Sequence, residues 1–256
     1  MGPRKRILNN IIINFVVLMV ILFQPLLGYA KDFMSEVARA NELHANNNFQ
    51  EAADAYESIH EAGLENGYLY YNLGNTYIRL GKNGLAILNY IRALKLIPRD
   101  ENLQANLNFA IQQTHDKIPL PEKSTLNNLF FWVSDLNFSE SLKIAFLVNV
   151  IFWFALIAWF YFRSKVFKLI RNLSFYILLL AILSVIVKSH LETGYKTGVV
   201  IVNKVSVKSG LDSSNATLFE LHEGALVNIT AERENWFEIR LNEKQKGWVP
   251  KDTLGS

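Results

Sequence analysis

The sequence predicts a multidomain membrane protein in three parts: an all-α region of helix hairpins, a transmembrane helical hairpin and a small all-β barrel. Three observations carry this prediction. Residues 70–98, "YYNLGNTYIRLGKNGLAILNYIRALKLIP", read as two helices folded onto each other and stopped by a proline. Two uncharged apolar runs, residues 144–162 and 173–187, flank a short basic stretch. After Lys188, short segments rich in Val, Ile and aromatic residues alternate with Gly, Asn, Asp and Ser.

The totals exclude several classes. Hydrophobic residues make up 50% of the chain, concentrated near the N-terminus and in the two apolar runs. A net charge of +3 without a dense Lys/Arg stripe gives no footprint for nucleic acid. The absence of cysteine removes disulfides, thiolate-bound zinc and thiol nucleophiles.

Taken in order, residues 1–30 read as a signal peptide. Arg4, Lys5 and Arg6 form the basic start, an apolar run follows, and Gly28 and Ala30 provide a small-x-small cleavage site after Ala30. Residues 31–118 form the helical domain. In its second half Tyr70, Leu73, Gly74 and Tyr77 share one face of a first helix. Gly81 suits the left-handed turn that ends it. Ala86, Tyr90 and Ala93 mark a second helix, which Pro98 terminates. An upstream copy is visible in Ala40, Leu43, Ala52 and Tyr56, each 34 positions before Gly74, Tyr77, Ala86 and Tyr90. "NLQANLNFAIQQT" then supplies a capping helix.

This spacing of aromatic, Leu-Gly, aromatic, Ala, aromatic, Ala and Pro resembles the tetratricopeptide repeat. The resemblance implies a ligand-binding concave face on the first helix of each repeat. The matching positions are Val37, Asn41 and His44 in the first copy and Tyr71, Asn75 and Ile78 in the second, with Arg79 beside them. Val37 and Tyr71 stand where a carboxylate clamp needs lysines, so the resemblance implies peptide binding without capture of a C-terminal carboxylate.

Residues 119–143 read as a linker with an interfacial segment, and 144–162 as the first transmembrane helix, with Trp153, Trp159 and Tyr161 toward its far end. Residues 163–171 hold Arg163, Lys165, Lys168 and Arg171 and no acid, which predicts a cytoplasmic loop. The second transmembrane helix, 172–188, reaches sufficient length if Leu169 and Ile170 join it and Arg171 snorkels to the interface. Both polar regions then lie outside the cytoplasm, as two exported arms on one anchor.

Residues 197–254 predict five or so short strands in a small barrel. "VSVKSG", "LHEGALVNI", "NWFEIRL" and "KGWVPKDTL" resemble, in order and spacing, the elements of a bacterial SH3-like domain, with Leu211 where that pattern carries a proline. Trp236 and Phe237 are the expected surface rings, with Trp248 more of a core residue.

No catalytic motif is present. The chain lacks a phosphate loop, G-x-S-x-G and H-E-x-x-H. His44, His60, His115, His190 and His222 are scattered without ligand spacing, and Glu232 and Glu234 read as a solvated acidic pair. The sequence therefore predicts neither enzyme nor cofactor nor metal.

The whole arrangement resembles BatE proteins of the bacterial aerotolerance operon. That resemblance implies a scaffold in the inner membrane facing the periplasm, with von Willebrand A-domain membrane proteins and a MoxR-type ATPase system as partners. The SH3-like resemblance implies an alternative: a peptidoglycan-binding envelope protein that recruits wall enzymes through its repeats.

Overall fold

The computed structural model describes residues 30–120, 131–194, 196–242 and 244–256. The signal peptide expected over residues 1–30 lies outside them except for Ala30. Two compact units divide the chain, one up to Leu64 and one from Glu65 onward.

The first unit holds α1 (Ala30–Ala45) and α2 (Phe49–Glu61), joined by a turn in which Asn47 takes a left-handed φ of 62°. Asparagine tolerates that region better than most side chains. Ala40 and Ala52 are completely buried and let the helices approach, and Tyr56 fills the seam beside them. Its hydroxyl donates to Asn41 Oδ1 at 2.6 Å.

The second unit begins with α3 (Gly67–Arg79), whose first turn is capped by Asn66 Oδ1 accepting from the Tyr68 and Leu69 N–H groups. Gly81, at φ +73°, turns the chain into α4 (Asn83–Leu96). Asp100 then caps α5 (Glu101–Gln113) by accepting from Leu103 N–H at 2.9 Å. Tyr90, Leu73, Ile87, Leu103 and Leu107 form its core, all nearly inaccessible.

After the short α6 (Phe131–Asp135) come two long helices, α7 (Phe138–Phe162) and α8 (Lys165–Gly194). Both are long and apolar enough to cross a membrane. The first starts six residues before the expected 144, because Asn137 and Glu140 form a reciprocal capping box around its first turn. Small residues line their seam: Ala155, Ala158, Ser174 and Ser184 are buried, while Leu147, Phe154, Leu173, Tyr176 and Ile186 point outward.

The basic loop expected over residues 163–171 is not a loop. Only Arg163, at φ 53°, and Ser164 interrupt the helices; residues 165–171 already belong to α8. Ser164 Oγ accepts from Val166 N–H at 3.2 Å and starts the helix at once, and no Gly or Pro follows to delay it. The charges nevertheless gather at this tip. The Arg171 guanidinium lies 4.2 Å from the Trp159 ring centre, and that of Arg163 lies 5.2 Å from the Trp159 and Phe160 rings.

The C-terminal region is one antiparallel sheet of seven strands among the described residues, against the five or so expected, ordered β3-β2-β6-β5-β4-β1-β7. The strands are β1 (Lys196–Val200), β2 (Lys204–Lys208), β3 (Thr217–His222), β4 (Leu226–Arg233), β5 (Trp236–Arg240), β6 (Lys246–Pro250) and β7 (Leu254–Gly255). Val200, Val207, Ala225, Ile239 and Val249 form a core from which water is wholly excluded.

This sheet is docked on the second helix hairpin, so the expectation of two separate arms does not hold. Glu223 Oε1 accepts from Gly84 N–H at 2.8 Å, and Arg92 donates to the Ser256 carbonyl at 3.2 Å. Gly224, at φ +83°, and Gly255 sit so close to Thr114 and Leu88, respectively, that neither position has room for a Cβ. The hairpin, in turn, is tied to the start of α7: Asn137 Nδ2 donates to the Leu96 carbonyl at 2.7 Å, and Arg99 pairs with Glu140 at 2.7 Å. Hairpin and sheet therefore lie at one end of the apolar helix pair, and the basic tip lies at the other.

Candidate functional site

The residues expected on a concave repeat face are brought together within each hairpin, but their asparagines serve the fold. Asn75 Oδ1 accepts both the Tyr90 hydroxyl at 2.7 Å and Asn106 Nδ2 at 3.0 Å; the same Asn106 nitrogen reaches the Tyr71 hydroxyl at 3.1 Å. This network fastens α5 onto α3 and α4. Burial, with the nearby Tyr71 adding to it, pushes the Tyr90 hydroxyl far above the ordinary tyrosine range, so it remains a neutral donor. Tyr71, Asn75 and Ile78 are half-buried, and Arg79 is exposed at the edge of the face. In the first hairpin Asn41 accepts from Tyr56, Val37 is half-buried, and His44 meets Phe49 edge-on at 5.3 Å.

In the sheet, strand alternation separates Trp236 from Phe237, so the two do not form one surface. Phe237 packs against the core, with Lys251 Nζ 5.5 Å from its ring centre. Trp236 faces the other way, opposite Pro250, and Glu238 is opposite Trp248 in the same register. Trp236 and Trp248 are therefore diagonal neighbours on one face, both half-buried, with Arg233 and Lys208 opposite them on the flanking strands. The period of two along β5 and β6 already contained this pairing, because core positions Ile239 and Val249 fix which residues point outward.

A cavity of about 460 Å³ opens where α4, α5, α6 and the end of α8 meet β1, lined by Ile91, Leu107, Leu120 and Val133 with Lys95 and Lys188 at its polar side. Lys188 Nζ donates to the Val133 carbonyl at 3.2 Å, and Trp132 Nε1 donates to Ser184 Oγ at 3.0 Å. These bonds hold α6 against α8.

The docked face also carries a polar cluster that sequence spacing could not reveal. Asp116, just past α5, accepts from the His222 backbone N–H through Oδ2 at 2.7 Å. Its Oδ1 lies 3.0 Å from His222 Nδ1 and 3.1 Å from His115 Nδ1. Burial pushes the Asp116 carboxyl up, but the bonds from the His222 backbone and the two rings outweigh it and hold its pKa below the usual value.

The comparison with known families bears on the sheet. The family model of the bacterial SH3 domain matches residues 209–255. That segment is a bacterial SH3 domain. The match opens ahead of β3, but β1 and β2 complete the same SH3 sheet, since β1 pairs with β4 and β7 and β2 with β3 and β6. No curated protein matches the chain.

Proposed function

We propose that the protein is a non-enzymatic, membrane-anchored scaffold that binds partner proteins outside the cytoplasm. The observation that carries this reading is the placement of both candidate surfaces at one end of the apolar helix pair. Four basic residues, Arg163, Lys165, Lys168 and Arg171, stand at the other end. Positive charge is retained on the cytoplasmic side, so the hairpins and the SH3 domain face the periplasm of an inner membrane. The hairpins act as tetratricopeptide repeats that hold an extended peptide over Tyr71, Ile78 and Arg79. The SH3 domain, docked on the second hairpin, offers the Trp236–Trp248 face to a second site on the same partner, and tethering raises the effective concentration of both contacts. The partners in this reading are the von Willebrand A-domain proteins and MoxR-type ATPase system of a Bat-type aerotolerance complex.

Photo-crosslinking residues at Tyr71 and Trp236 in living cells test it. Adducts to A-domain membrane proteins at both positions are the expected result. Adducts at neither position, in cells where the chain is inserted and folded, would discard it.

The half-buried tryptophan pair favours a second reading, a peptidoglycan-binding envelope protein. Stacking of sugar or peptide groups on Trp236 and Trp248 would retain the purified full chain on sacculi, and Trp236→Ala would release it. Retention that is indifferent to this change counts against the wall reading.

A further inference from the structure

We propose that His115, Asp116 and His222 form a binding site for a divalent transition metal of the zinc class, which pins the end of α5 to the SH3 domain. Two residues from one bend and one from a strand more than a hundred positions later converge here, and their ligand atoms all lie within 4.8 Å of one another. Zinc–nitrogen and zinc–oxygen bonds of about 2.0–2.1 Å place tetrahedral ligand atoms about 3.3 Å apart. The observed separations of 3.0 and 3.1 Å between Asp116 Oδ1 and the two Nδ1 atoms differ from that by only a few tenths of an ångström.

The surroundings have the form of a supporting shell. Asp116 Oδ2 is held by the His222 N–H at 2.7 Å, which orients the carboxylate and leaves Oδ1 as the donor atom. The two imidazole rings lie with centres 4.0 Å apart. A nitrogen, nitrogen and carboxylate-oxygen set suits zinc, nickel or copper ions better than calcium or magnesium. The His115 side chain is 73% exposed, so a fourth position stays open to water.

The metal binds an arrangement that exists only when helix and sheet are docked, so occupancy stabilises the docking. Neither histidine is used in the partner surfaces described above.

The test uses the full-length, tag-free chain in detergent, titrated with Co²⁺ and followed by its visible ligand-field bands, then displaced with Zn²⁺. One equivalent of Co²⁺ is expected to bind. His115→Gln removes an exposed ligand that the core does not need, and should weaken binding by roughly tenfold or more. His222→Gln should do the same, and His60→Gln should change nothing. Zn²⁺ should raise the melting temperature of the parent chain and leave that of His115→Gln unmoved. Absence of the bands at one equivalent overturns the proposal. So do bands of equal strength in His115→Gln, or an equal loss in His60→Gln.

Discussion

In α1–α2 the Tyr56 hydroxyl donates to Asn41; 34 positions on, in α3–α4, the Tyr90 hydroxyl donates to Asn75. The inner seams of the two hairpins are thus built alike, with Ala52 and Ala86 buried at equivalent places. Their backs are not. α2 presents Gln50, Asp54 and Glu57 where α4 has Gly84, Leu88 and Ile91. Gln50 and Asp54 are exposed, whereas all three α4 residues are buried. A helix with one apolar face needs a neighbour on that face alone; a helix that buries a further face needs another neighbour there. Besides α3 and α5, α4 packs against the SH3 domain, whose Glu223, Val200 and Gly255 lie against Gly84 and Leu88.

The seam itself offers the largest way to break the likeness. Gly74 faces Tyr90, and a Cβ there would lie 2.6 Å from two ring carbons. Its counterpart Ala40 already carries a Cβ in the first hairpin. The Tyr90 ring cannot swing aside, because it is 1% exposed and its hydroxyl is held by Asn75. Gly74→Leu should therefore cost about 3 kcal/mol or more through overpacking and lose the cooperative melting of the second hairpin by circular dichroism. An unchanged melt would mean the seam is looser than its geometry.

The backs are tested by exchanging residues between the hairpins. Leu88→Asp installs the residue found at position 54. It forfeits about 2–3 kcal/mol of apolar burial and sets a carboxylate against Gly255, so the sheet should detach while both parts stay folded. Hydrogen exchange should accelerate in β7 and at the Gly84 amide and remain slow in β5. Acceleration throughout the sheet would show that docking and SH3 folding are one event.

How much of this was legible follows from the same residues. The 34-residue offset and the run of Tyr, Leu-Gly and Ala expose the seams, because local helical periodicity writes them directly into the chain. The match of 209–255 to the SH3 domain agrees with the segments "LHEGALVNI" and "KGWVPKDTL". The docking was written in Gly84, Leu88 and Ile91 of "NGLAILNYIRALKL", which add a second apolar face, but an apolar face does not name its neighbour. The His115–Asp116–His222 cluster had no local signal at all, since its geometry exists only once α5 and β3 have met. The start of α8 failed for a different reason. A dense run of basic side chains looks like a loop, yet Lys and Arg are good helix formers, and Ser164 was sufficient to begin the turn.

A smaller contrast concerns the shared hydroxyls. Asn41 is exposed, so after Tyr56→Phe it hydrogen-bonds water, and the loss should be about 0.5 kcal/mol. Asn75 is half-buried and also receives Asn106, so Tyr90→Phe disturbs a network of four side chains. A loss of about 1.5 kcal/mol is expected there, measured by chemical denaturation of each variant. Equal losses would place the two seams in the same environment and weaken the view that α5 locks the second.

The finest difference lies one residue before each of these tyrosines. Ala55 in the first hairpin corresponds to Asn89 in the second, which is 2% exposed. Asn89 Nδ2 donates to the Leu85 carbonyl at 2.9 Å, but its Oδ1 finds no partner among the described residues. A buried acceptor left unpaired costs more than the apolar group that could replace it. Asn89→Leu keeps the same branched skeleton of side-chain heavy atoms, removes that oxygen and leaves the Leu85 carbonyl in its helical bond. The variant should gain about 1 kcal/mol and melt a few degrees higher. A lower melting temperature would instead mean that Asn89 Oδ1 is served by a bound group in the folded protein, and the all-apolar account of the back of α4 would need a polar exception at this one position.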